Sequence, residues 1–124
     1  MNKMICVIGA GYWGKNHIKT LSKLNALGGV VDLNRKLLID TVKQYPGIKK
    51  HSHLDEALLA DYDGFIVATP ANTHFEIAKT IIKAKRPLLI EKPMTLSIKD
   101  AESLVALAEE NEVNVLVGHV LLFH

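Results

Sequence analysis

The chain has 124 residues, 48% of them hydrophobic and 23% charged, a composition that excludes a disordered or fibrous protein. Fifteen Lys and Arg stand against 13 Asp and Glu, a net charge of +2, so there is no basic footprint for nucleic acid. Cys6 is the single cysteine, which excludes an internal disulfide and fits a reducing, cytoplasmic compartment. No apolar run reaches the roughly 18–20 residues of a membrane span, and one domain over residues 1–124 is expected.

In chain order, six strand-like runs alternate with five helical patterns. Met4–Ile8 is a continuous apolar run, followed by a helix with Ile18, Leu21 and Leu24 at helical spacing. Gly29–Asp32 reads as the second strand, and Leu38, Val42 and Tyr45 mark the second helix, which Pro46-Gly47 ends. Ile48–Lys50 is the third strand, followed by a short helix over about Leu54–Leu59. Gly64–Ala68 is the fourth, with a helix from about His74 to Ala84. Leu88–Ile90, a helix marked by Ala101, Leu104, Val105 and Ala108, and Asn114–Gly118 complete the series. Thr73 with Glu76, Ser52 with Asp55 and Ser97 with Asp100 have the spacing of capping boxes. Continuous rather than alternating apolar strands are those of a parallel sheet buried on both faces. The expected fold is a doubly wound parallel α/β sheet of the Rossmann type, six strands with helices on both faces.

Such sheets bind ligands outside the carboxyl ends of their strands. After the first strand stands Gly9-Ala10-Gly11-Tyr12-Trp13-Gly14. Gly9 permits a tight turn, Gly11 admits backbone to a pyrophosphate, and Gly14 lets the helix pack closely; the helix N-terminus offers free N–H groups to phosphate. Asp32 follows about 18 residues on, where a carboxylate accepts from both ribose hydroxyls and repels a 2′-phosphate. These residues predict dinucleotide binding, with NAD expected over NADP; Arg35 is the residue that could accommodate a phosphate. Trp13 either shields the cofactor or packs on a neighbouring loop. Thr69-Pro70-Ala71, Glu91-Lys92-Pro93 and His119 end the fourth, fifth and sixth strands. His51-Ser52-His53 lacks further ligands at zinc spacing, so no metal is expected. Lys83, Lys85 and Arg86 read as a solvated helix end, and Cys6 as buried filler.

Gly9–Gly14 with His17, Asp32, Thr69-Pro70-Ala71 with His74, Glu91-Lys92-Pro93 and Gly118-His119 occur in this order across essentially the whole chain. In these motifs the chain resembles the N-terminal domain of the glucose–fructose oxidoreductase/inositol dehydrogenase/rhizopine catabolism (Gfo/Idh/MocA) family. The resemblance implies a pyridine-nucleotide oxidoreductase acting on a sugar, cyclitol or nucleotide sugar, and the ending Val117–His124 is similar to the branch that oxidises C3 of UDP-N-acetylglucosamine-type sugars. It implies Lys92 as the catalytic residue. The cofactor would be held by Gly9, Gly11, Tyr12, Trp13, Gly14, Asp32, Thr69, Pro70, His74, Glu91 and Lys92, with His119 a further candidate at the nicotinamide end and His17 structural. It also implies a homo-oligomer and a second, C-terminal domain for substrate, absent from this chain, so that the chain alone would bind cofactor with little turnover. Two positions depart from the family pattern. Ala71 stands where many members have Asn, and Lys85 stands where a helix-ending Gly is common, implying a left-handed lysine at a cost of ~1 kcal/mol. The alternative function is a stand-alone nucleotide-binding or redox-sensing module acting through a partner.

Overall fold

The computed structural model describes residues 3–118 and the backbone of 120–123; His119, and the side chains of the apolar run Val120–Phe123, lie outside what is described. The elements in order are β1 (Ile5–Ile8), α1 (Tyr12–Lys23), β2 (Leu27–Val31), α2 (Arg35–Gln44), β3 (Lys49–His51), α3 (Leu54–Leu58), β4 (Gly64–Val67), α4 (His74–Lys83), β5 (Leu88–Ile90), α5 (Ile98–Asn111), β6 (Val115–Val117) and β7 (Val120–Phe123). The sheet order is β3-β2-β1-β4-β5-β6-β7. The first six strands are parallel, and β7 pairs antiparallel with β6.

The doubly wound parallel sheet is as expected. The seventh strand is an addition: Gly118, at φ +59, turns the chain so that Val120 pairs with Val117. β2 begins at Leu27 rather than Gly29 because the glycine pair lies under a ring. A Cβ at Gly29 would be 2.0 Å from the Tyr62 hydroxyl, and one at Gly28 3.1 Å from the ring edge. Asp32 sits just past β2, and β3 runs one residue later than expected, to His51.

Neighbouring residues along each strand feed opposite layers. Val7, Val30 and Ile66 pack with Ile18 of α1 and Leu38 of α2. Cys6, Ile8, Val31, Phe65, Val67 and Ile90 pack with Ala57 of α3, Ile81 and Ile82 of α4 and Leu104 of α5. Burial on both faces explains the unbroken apolar runs, each such side chain contributing about 1.5–3 kcal/mol. Cys6 is buried, and burial pushes its thiol up to about 12.

Of the expected capping boxes, one forms its N-cap bond: Ser97 Oγ accepts from the Asp100 N–H (3.0 Å). Thr73 already belongs to a 3₁₀ turn over Ala71–Thr73, so its hydroxyl donates back to Pro70 O (2.6 Å). Ser52 stands one residue too early, since His53 is the residue before α3 and no side chain caps that helix. Asn34 caps α2, accepting from the Leu37 N–H (3.1 Å).

Three helices end on left-handed residues that are not glycine. Asn25, Lys85 and Glu112 have φ of 56°, 60° and 55°. At α4 the Lys85 N–H donates to Ile82 O and the Arg86 N–H to Ile81 O, the paired closure of a Schellman end. The left-handed lysine is thus as expected. Arg86 is not a solvated helix-end charge: it donates to Leu58 O and Ala60 O, 3.2 Å each, and to Tyr62 O. Its guanidinium lies 5.2 Å from the centre of the Phe65 ring. It satisfies three carbonyls of the α3–β4 connection that would otherwise lack partners. Among the described residues no helix is long and apolar enough to cross a membrane.

Candidate functional site: the cleft at the strand ends

The chain reverses its direction across the sheet between β1 and β4, the switch point where such folds open a crevice. A cavity of about 600 Å³ lies there, walled by the loops after β1, β2, β3 and β4. That size is in the range of small-molecule and cofactor sites.

The three glycines of the β1–α1 turn have separable roles. Gly9 has φ +102, and a Cβ on it would stand 2.8 Å from Ala68 O; it makes the turn and lets β4 close in. At Gly14 a Cβ would stand 1.7 Å from Gly9 O, so this residue sets the depth at which α1 sits on the turn. At Gly11 a Cβ would meet no protein atom within 4 Å. Protein packing does not demand a glycine there. Gly11 is also the N-cap of α1, with no side-chain cap and no acidic residue in the first turn, so the positive end of that helix faces the cavity without a carboxylate of its own.

Asp32 is held from two sides. Its Oδ2 accepts from the Ala10 N–H (2.8 Å) and its Oδ1 from the Asn34 N–H (2.8 Å). A carboxylate has about four acceptor positions, so these two bonds orient it and leave capacity towards the cavity it lines.

Of the residues singled out from sequence, Gly9, Gly11, Tyr12, Trp13, Asp32, Thr69 and Pro70 share this cavity wall. Tyr12 and Trp13 form an edge-on pair with ring centres 5.1 Å apart. Trp13 is 58% exposed, so it lies at the cavity rim rather than packed beneath a neighbouring loop. Lys92 is elsewhere. It borders a second groove of about 640 Å³, with Met94, Ile98, Val105 and Val117. Its alkyl chain passes over Gly118, where a Cβ would come 3.2 Å from Cε.

His74 departs from its expected place on the cofactor wall. It is 1% exposed, with Nδ1 2.9 Å from Pro93 O and Nε2 2.7 Å from Thr69 O. Both partners only accept, so a ring nitrogen bonds its oxygen only when it carries a proton. Glu91 is likewise engaged, its Oε1 accepting from His17 Nε2, and the Lys92-Pro93 peptide is cis.

Leu33, Ser52, His53, Leu54, Thr73 and Ile77 also line the cavity and were not anticipated. For Ser52, His53 and Leu54 the register is the reason: the Asp32 N–H donates to His51 O (3.1 Å), which brings the β3–α3 loop beside the β2 end. His51 itself hydrogen-bonds the Tyr62 hydroxyl (2.7 Å).

Residues 3–119 match the family described as an oxidoreductase family with an NAD-binding Rossmann fold. The chain belongs to that Gfo/Idh/MocA family. It is 31% identical over 123 residues to UDP-N-acetylglucosamine 3-dehydrogenase of Acidithiobacillus ferrooxidans, covering 95% of this chain and 37% of that protein. It is 36% identical over 118 residues to glucose-6-phosphate 3-dehydrogenase of Bacillus subtilis, covering 94% of this chain and 33% of that one. The crystal structure of GenD2 from gentamicin A biosynthesis, in complex with NAD, superposes with a TM-score of 0.86 at 35% identity, over 95% of this chain and 35% of GenD2. The chain therefore spans about a third of the length of these relatives.

Proposed function

We propose that residues 1–124 are the cofactor half of a dehydrogenase that acts on a hydroxyl of a sugar, cyclitol or nucleotide sugar, and that a further domain supplies the substrate half. The observation that carries the cofactor reading is one cavity in which the open face of Gly11 and the oriented carboxylate of Asp32 meet. The cavity wall fits NAD. The α1 N-terminus with Gly9 and Gly11 would take the pyrophosphate, and Asp32 would accept from both hydroxyls of the adenosine ribose and repel a 2′-phosphate. Tyr12, Trp13, Thr69 and Pro70 would enclose the cofactor from the two loops flanking the switch point. Gly14 would act by holding α1 at the right depth. NAD, when bound, supplies the hydride acceptor or donor.

The chain's own chemistry is then proton handling and positioning. A secondary alcohol losing hydride needs a group that takes its hydroxyl proton, and Lys92 is assigned that role, which its side-chain nitrogen fills as the neutral amine; the side chain is exposed and stands at the carboxyl end of β5 beside Gly118. Glu91 contributes from the same loop. The substrate class rests on the named activities of the relatives, two of which oxidise position 3 of a hexose derivative according to their names.

Parallel titrations with NADH and NADPH test the cofactor reading, with Trp13, the only tryptophan, as the fluorescent reporter. Saturable quenching at least about tenfold tighter for NADH, a difference of about 1.4 kcal/mol, is expected. Preference for NADPH would overturn the role given to Asp32, and binding of neither at millimolar concentration would overturn the cofactor reading of the cavity in this chain.

A further inference from the structure

Lys92 has a charged head that forms no hydrogen bond or ion pair among the described residues, on a stem with many rotamers. A group asked to meet a hydroxyl proton must be held to within a fraction of an ångström. The question is what holds it.

The loop carrying Lys92 leaves β5 with one further sheet bond, from the Glu91 N–H to Val67 O (3.1 Å). Beyond that, its side-chain hydrogen bonds among the described residues are to two histidines on opposite sides of the sheet. His17, on α1, donates through Nε2 to the Glu91 carboxylate. His74, opening α4, has Nδ1 2.9 Å from Pro93 O and Nε2 2.7 Å from Thr69 O, and the tautomer with its proton on Nδ1 donates to Pro93. The residues before and after Lys92 are thus each tied to a different helix, and Gly118 leaves room for the lysine stem between them. We infer that His17 and His74 are positioning residues that form a two-sided clamp on the Glu91–Pro93 loop and so fix the direction of Lys92. The clamp has a further consequence. His17 stands on the helix whose first turn faces the cavity, and the His74 ring lies against Thr69 of the cavity wall, Nε2 being 2.7 Å from its carbonyl oxygen. The lysine loop is therefore set relative to the same two walls that the cofactor reading uses.

This inference rests on the role proposed for Lys92, and its test separates the two. Asparagine places its amide nitrogen where histidine has Nδ1, and glutamine where histidine has Nε2. At position 17 the working nitrogen is Nε2, so His17→Gln keeps the tie and His17→Asn loses it. At position 74 the tie to the lysine loop uses Nδ1, so His74→Asn keeps it and His74→Gln loses it. A role in packing alone gives no reason for opposite preferences at the two positions.

Two readouts apply to the 124-residue chain. The first is the ¹³C resonance of reductively methylated Lys92, assigned by its disappearance in Lys92→Arg. It should stay at the parent position in His17→Gln and His74→Asn, and move away from it in His17→Asn and His74→Gln. The second is affinity for reduced nicotinamide mononucleotide, expected to fall about tenfold in the two loosened variants, while affinity for AMP stays within about twofold. A resonance indifferent to all four substitutions, or shifted alike by both amides at each site, overturns the clamp. A resonance that follows the pattern while mononucleotide affinity does not change upholds the clamp and removes Lys92 from the nicotinamide end. Because His74 is buried and its variants can fail to fold, the His17 pair, at a partly exposed position, decides the α1 side of the clamp by itself, and equal behaviour of its two amides overturns a two-sided clamp.

Discussion

Gly11 and Gly14 lie three residues apart and differ fully in what a methyl group would do. At Gly14 an added Cβ stands 1.7 Å from Gly9 O and 2.7 Å from Gly9 C. An ordinary carbon–oxygen contact needs roughly 3.2 Å, so the helix and the turn must separate by about 1.5 Å. That opening unseats Ile18, which is 1% exposed under α1. Overpacking of this kind costs about 1–3 kcal/mol and sometimes more, from a total that is about 5–15 kcal/mol for a domain. At Gly11 the same methyl meets nothing within 4 Å, and φ is −78°, so the folded chain tolerates it within about 1 kcal/mol either way. The cost of Gly11→Ala falls on the ligand instead. If the pyrophosphate lies against this backbone, the methyl holds it off the α1 N–H groups. Losing one charge-assisted bond at about 1.5–3 kcal/mol then weakens NADH by about 10- to 100-fold. Thermal melts and NADH titrations of both variants provide the assay. Gly11→Ala should melt within a few degrees of the parent and bind poorly; Gly14→Ala should melt about 4–12 °C lower. A Gly11→Ala chain that binds NADH like the parent would refute the cradle, and a Gly14→Ala chain of unchanged stability would refute the reading of the close contact.

Two further predictions concern the scaffold. Lys85→Gly should raise stability by about 1 kcal/mol, or about 4 °C in melting temperature, because φ +60 costs a side-chain-bearing residue that much; a loss of stability would show that the Lys85 side chain makes up for the strain. Burial lowers the pKa of His51 below its ordinary 6.5, with Lys49 adding to the shift and Glu56 opposing it. The unfolded chain therefore takes up this proton at higher pH than the folded one. The His51 contribution is then complete above about pH 6.5 and is lost as pH falls from there through the folded-state value. Urea midpoints at pH 7.5 and 5.5 should drop more for the parent than for His51→Gln, and equal drops would count against the assignment.

What could be read from the sequence was whatever is local in the chain. Periodicity located the elements, because a strand buried on both faces has no place for polar residues. The turn at Gly9 and the spacing to Asp32 follow from the geometry of one βαβ unit, while the left-handed Lys85 was implied by the resemblance, in which a helix-ending Gly is common at that position. The features that were missed depend on contacts between distant segments. His17 and Glu91 are 74 residues apart, and nothing near either one announces the other. Arg86 looked like a solvated charge because its three carbonyl partners lie on the α3–β4 connection. His74 was given to the cofactor by the resemblance, whereas the structure buries it against the Pro93 carbonyl, 19 residues away. The same distinction bears on the site. Gly9, Gly11 and Asp32 are ordered by two adjacent parallel strands and can be assigned from one βαβ unit. On the proposed clamp, Lys92 depends on α1, α4 and the β6 end together, through His17, His74 and Gly118. With the role proposed for it, a lysine held by its neighbours' partners rather than its own loses its function by substitution at positions that never approach the substrate.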